Sequence, residues 1–126
     1  MGLWLSVMAV AAGGLIGSAA RIGIDRLIPA STDGFPTTVL VVNLVGSFFI
    51  GLYLARRERA ISRPLALQFW AIGVLGSFTT FSAFSVDLVE LLAASRPLTA
   101  TIYIGASVIG GLALAATGQR VGAVIR

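Results

Sequence analysis

Read for hydrophobic and polar positions, the chain consists of four long apolar stretches, about 3–27, 37–55, 65–93 and 98–124, separated by short polar interruptions. A helix crossing ~30 Å of hydrocarbon needs about 20 mostly apolar residues, and each stretch meets that length. The expected fold is an all-α membrane protein, a single membrane domain over 1–126 with four transmembrane helices. The interruptions read as helix ends. In "RIGIDRLIP", Arg21, Asp25 and Arg26 lie a turn apart and Pro29 stops the first helix; "ASTDGFP" is a short turn, with Pro36 suited to the first turn of the second helix. The basic segment "RRERAISRP" leads to a third helix beginning near Pro64, and "SRP" at 95–97 separates the third from the fourth. Such short loops predict that consecutive helices are antiparallel neighbours.

Composition sharpens this picture. The chain is 57% hydrophobic and 11% charged, outside the range of soluble domains, and leaves no room for a nucleotide-binding or metal-binding module beyond the membrane. Cysteine and histidine are absent, which excludes thiol nucleophiles, disulfides, imidazole bases and the commonest zinc ligands; an enzyme is not expected. All nine basic residues are arginine, in a chain of net charge +4. They cluster at helix ends, so topology and interfacial anchoring account for them rather than nucleic acid. Arg56, Arg57, Arg59, Arg63, Arg120 and Arg126 fall on the side of the termini, and Arg21, Arg26 and Arg96 on the other, which favours cytoplasmic termini. The first stretch lacks a basic leader and is read as a retained helix rather than a signal peptide; the myristoylation match of "MGLWLS" is read as chance.

Small residues recur at helix-contact spacing: Gly13 with Gly17, Ser47 with Gly51, Ala106 with Gly110, Ser107 with Gly111, and Gly118 with Gly122. These pairs allow close helix approach in lipid, within one bundle or between subunits. Four tightly packed helices enclose side chains rather than water, so any pore is expected to need an oligomer.

The segment "GSFTTFSAFS", residues 76–85, interrupts the third stretch with hydroxyls and rings. Backbone leaves a helix in lipid only where its polar groups find other partners. Gly76, Ser77, Thr79 and Thr80 suit such a break, with freed carbonyls as ligands for a hard cation; the alternative is a continuous helix whose hydroxyls bond back to the preceding turn. Phe78, Phe81 and Phe84 recur every third residue, and Ser82 and Ser85 follow the last two. Ring edges are electropositive, so rings beside hydroxyl donors can line an anion path, or they can simply fill a core. Asn43, a neutral amide in the second helix, either bonds across helices or offers its NH2 to an anion.

"VNLVGSFFIG" at 42–51 together with "GSFTTFSAFS" resembles the Fluc fluoride channel family, also called CrcB. "GGLIGSAARIGI" and "YIGASVIGG" fit its pattern too, so that the resemblance covers essentially the whole chain. It implies a dual-topology dimer of antiparallel four-helix subunits in the plasma (inner) membrane, each with a third helix broken near its middle. It also implies two pores and a structural sodium ion, which is not transported, on the two-fold axis. By position, the backbone carbonyls of Gly76 and Thr79 from both subunits hold the sodium. Phe81 and Phe84 match the pore phenylalanines, Asn43 the pore asparagine, Ser82 and Ser85 the polar track, and Arg21 an arginine near the vestibule. Tyr103 and Ser107 match positions near the pore on the fourth helix. Ser77, Ala83 and Gly111 depart from the family pattern, and Gly111 thins the polar track on the fourth helix.

The implied function is passive export of cytoplasmic fluoride, protecting the cell from its toxicity. The partners are fluoride, lipid and a second subunit, identical or a related paralogue. The uneven arginine count bears on that choice, because dual topology favours balanced charge. A small four-helix proton-coupled multidrug antiporter is the rival from another class, but it needs an intramembrane carboxylate, and Asp25, Glu58, Asp87 and Glu90 lie toward helix ends or loops. A non-conducting partner subunit of a heterodimeric channel is the third reading.

Overall fold

The computed structural model describes residues 2–28, 31, 34–57 and 64–125. The expected stop at Pro29, part of the turn at 30–36, the loop residues Glu58, Arg59 and Arg63, and Arg126 lie outside the described residues. Regular structure among the described residues is entirely helical. Helix α1 covers Leu3–Leu27, α2 covers Thr37–Arg57, and α6 covers Pro97–Val124. The third span is composite: α3 (Pro64–Ala66), a π-helix (Leu67–Leu75), α4 (Gly76–Phe78) and α5 (Phe81–Ala93). Among the described residues four spans are long and apolar enough to cross a membrane, so this is a multi-pass membrane protein.

Local chemistry explains how α5 ends. Arg96 N–H donates to Leu91 O (2.9 Å) and Ser95 N–H to Leu92 O (3.0 Å), with Ser95 at φ 56°. This is the paired closure that usually carries glycine at its left-handed position. Pro97 then opens α6, where a missing N–H costs nothing.

Helix pairing departs from the expectation that consecutive helices are the main neighbours. Helix α1 packs chiefly on the π-helix and α4, whereas α2 packs chiefly on α6; α1 and α2 touch little. The register can be read from the glycines. A Cβ on Gly13 would overlap the Phe69 carbonyl, and one on Gly17 the Val74 carbonyl; Gly14 faces Ser77. Residue numbers rise together, so α1 and the first half of the third span are parallel. Likewise Gly110 meets Leu44, Gly51 meets Ala115, and Gly122 meets Leu52, so α2 and α6 are parallel. The physical reason is that lipid tails are as apolar as leucine, so partner choice in a membrane follows close backbone approach, which the glycines permit. The small-residue pairs at 13/17 and 118/122 are therefore spent on packing within the subunit.

Helix α5 returns along α6, and Leu91, Ala100 and Tyr103 form a buried cluster with Phe35, Leu40, Phe84 and Leu88 around it. Large apolar residues elsewhere face outward: Leu15, Ile109 and Leu112 are each at least 70% exposed. Such a surface suits hydrocarbon rather than water.

Candidate functional site

The third span leaves helical geometry midway along its length. Thr79 has φ −77° and ψ 158°, and Thr80 has φ −148° and ψ 119°. In an uninterrupted helix Thr80 N–H would bond to Gly76 O, and Ala83 N–H to Thr79 O. Instead Thr80 N–H donates to Asn43 Oδ1 (2.8 Å), and Ala83 N–H donates to Thr80 Oγ1 (3.2 Å), which caps α5. The Gly76 and Thr79 carbonyls thereby lose their helical donors. Asn43 Nδ2 also donates to Thr80 O (3.0 Å), so one side-chain amide replaces a rung of backbone pairing on both sides of Thr80. Each NH2 has two protons, and this bond uses one.

The step is fixed sterically as well. Thr79 N–H and Oγ1 both donate to Leu75 O (3.0 and 2.9 Å), which turns the threonine methyl toward α2. There a Cβ on Gly46 would overlap Thr79 Cγ2, so glycine at 46 is what lets the methyl lie against α2.

An open groove of about 480 Å³ borders the step. Asn43, Gly76, Thr79, Phe81, Phe84 and Ser107 line it, so six of the expected site residues meet at one place. Phe81 is 79% exposed at its rim and stacks obliquely on Phe84, with ring centroids 5.8 Å apart. The Ser107 hydroxyl is buried there without a hydrogen-bond partner among the described residues, although buried polar atoms are ordinarily paired.

Ser82, Ser85, Arg21 and Tyr103 do not line this groove. Ser82 Oγ pairs with Thr80 Oγ1 (3.1 Å), and Ser85 donates its single hydroxyl proton to Phe81 O (2.9 Å). Arg21, its Nε buried and without a partner among the described residues, lines a separate cavity of about 230 Å³ with Asp25, Thr38, Thr80 and Ala83. Thr80 lines both spaces and is the wall between them. Tyr103 is fully buried, donates to Asp87 Oδ2 (2.8 Å), and stands 5.1 Å from the Phe84 ring, behind it rather than in the groove.

Sequence reasoning placed Thr80 in the break but gave it no role in the site, and it assigned none to Gly46 or Asp87. The polar pair Thr79–Thr80 beside a glycine was the visible signal for the first. Nothing local marks Gly46 or Asp87, whose partners are 33 and 16 residues away, respectively.

Fold and site together define a small multi-pass membrane protein with a polar, aromatic-lined groove at a backbone step within the membrane-spanning region. Residues 8–119 match the family described as CrcB-like protein, Camphor Resistance (CrcB), and the chain belongs to this family. Among similar proteins, the fluoride-specific ion channel FluC of a Thermus thermophilus strain is 42% identical over 117 residues, covering 92% of this chain and 94% of that protein. FluC of Idiomarina loihiensis is 40% identical over 108 residues, 85% of this chain and 84% of that protein. FluC of Deinococcus radiodurans is 38% identical over 123 residues, 96% and 94% respectively.

Proposed function

We propose that this protein is a fluoride-selective channel that passively exports cytoplasmic fluoride across the plasma membrane. The observation that carries the reading is the Asn43–Thr80 pair, which holds Phe81 and Phe84 beside an amide with one uncommitted proton. Its relatives named as fluoride-specific channels support the choice of anion. Fluoride is small and strongly hydrated, so a selective path must substitute several donors for water in a narrow space. Asn43 N–H, the Ser107 hydroxyl and the phenylalanine edges supply donors without a cationic side chain in the groove lining, and so release the ion as readily as they bind it. Arg21, beyond Thr80, raises the local anion concentration by its charge. Ser82, Ser85 and Tyr103 complete the path: the serines after their hydroxyls turn from their local partners, and Tyr103 by backing the Phe84 ring.

The functional unit in this reading is an antiparallel dimer, of identical subunits or of this chain with a paralogue. The open groove and the exposure of Phe81 support it, since a second copy set across the groove closes it on all sides. The third span acts as a broken helix, and the carbonyls of Gly76 and Thr79, deprived of their helical donors, fit a hard monovalent cation. A sodium ion held by these carbonyls from both subunits would cross-link the dimer through four acceptors that have lost their helical donors.

The test is efflux from liposomes loaded with potassium fluoride, recorded with a fluoride electrode, with chloride-loaded vesicles as control. Rapid fluoride-selective efflux from the purified chain alone is expected. Silence, persisting after co-reconstitution with a related paralogue, would overturn the reading.

A further inference from the structure

A second, almost wholly apolar crevice of about 360 Å³ opens on a different face of α2. It follows from the helix pairing: α1 is drawn to the π-helix and α2 to α6, and the wedge left between α1 and α2 is floored by the third span. Val45, Val74 and the buried Phe78 line it at mid-span, the part that lies deep in the membrane; Tyr53, the half-exposed Trp70 and Arg56 line it toward the end of α2, the part that forms its mouth. From Val45 to Arg56 is 11 residues, about 16 Å along the helix, close to the ~15 Å of one hydrocarbon leaflet. The crevice thus reaches from the membrane surface to the bilayer centre. Its depth offers water no hydrogen-bond partners, and its mouth offers an anion a guanidinium.

We infer that this crevice binds one acyl chain of an anionic phospholipid, with the headgroup phosphate on Arg56. The occupant is fixed by chemistry. The deep part accepts only hydrocarbon, the length fits a chain in a single leaflet, and among the described residues the charged one in the lining, Arg56, is cationic. The bound chain would lie against Val74 and Phe78, immediately before the step at Thr79, and so support the span that carries the groove.

Trp70, 51% exposed and on the crevice wall, provides the reporter. The chain has two tryptophans, so Trp4→Phe leaves Trp70 as the sole tryptophan, whose emission is excited selectively over that of the tyrosines. In vesicles of phosphatidylcholine titrated with chain-brominated phosphatidylglycerol or chain-brominated phosphatidylcholine, quenching should give about fivefold tighter relative association for phosphatidylglycerol. Arg56→Gln should abolish that preference, and Val45→Phe should weaken association of both lipids by filling the deep end. Equal quenching by both lipids, or a preference that survives Arg56→Gln, would overturn the inference. So would a Trp70 that neither lipid quenches, since that result means a second copy of the chain covers this face. Fluoride efflux does not enter the readout, so it fails or succeeds independently of the channel assignment.

Discussion

Replacing Asn43 by alanine removes both hydrogen bonds that hold Thr80 out of helical register, at 3.0 and 2.8 Å. Each bond contributes about 1 kcal/mol net, and an acceptor or donor left without a partner costs about 1–3 kcal/mol, so the loss is about 2–6 kcal/mol. The groove is open, which admits water to one side of Thr80 and places the expected value toward the lower end. Even 2 kcal/mol shifts the equilibrium between the arrangement that presents Phe81 and Phe84 and its alternatives by about 30-fold. Asn43→Asp separates geometry from donation: the carboxylate still accepts from Thr80 N–H but cannot donate to Thr80 O and sets two acceptors face to face. Fluoride efflux per reconstituted protein is the assay, together with thermal unfolding in detergent. Both variants should lose more than tenfold in rate, Asn43→Asp at least as severely as alanine. Efflux within twofold of the parent, with unchanged unfolding, would refute the idea that this amide sets the step.

Gly46→Ala should cost about 1–3 kcal/mol and depress efflux, because its methyl overlaps Thr79 Cγ2; adding Thr79→Ser removes that carbon and should restore both properties. Phe81→Ile or Phe84→Ile should abolish efflux while leaving the oligomer, measured by cross-linking, intact, since the ring edge is lost but apolar volume is kept. Tyr103→Phe should destabilise by about 1–3 kcal/mol in unfolding measurements, because Asp87 loses its hydroxyl partner while the rings stay packed. Ser95→Gly should stabilise by about 1 kcal/mol without changing efflux, because φ 56° is strained for serine and free for glycine.

Span count and the groove residues Asn43, Gly76, Thr79, Phe81 and Phe84 were legible in the sequence for physical reasons, whereas Ser107 was named only by the family resemblance. Twenty apolar residues in succession have few stable alternatives to a spanning helix, and hydroxyls and rings in mid-span require a purpose. Asn43 was visible as an outlier, but its two readings could not be separated locally. The structure shows it bonding across helices to Thr80 through both Nδ2 and Oδ1. Ser82 and Ser85 illustrate the opposite case, since their composition suggests free donors and only local geometry reveals their partners at Thr80 and Phe81.

The sequence by itself determined a four-span helical membrane protein, its resemblance to one family, and a polar, aromatic segment inside the third span, because hydropathy and residue type act over short distances. Only the tertiary structure decided that α1 pairs with the third span and α2 with α6, that Thr80 is held by Asn43, and that Tyr103 stands behind Phe84. The helix pairing depends on which glycine surfaces approach most closely between positions far apart in the chain, such as Gly13 with Phe69 and Gly118 with Phe48, and no local pattern encodes that choice.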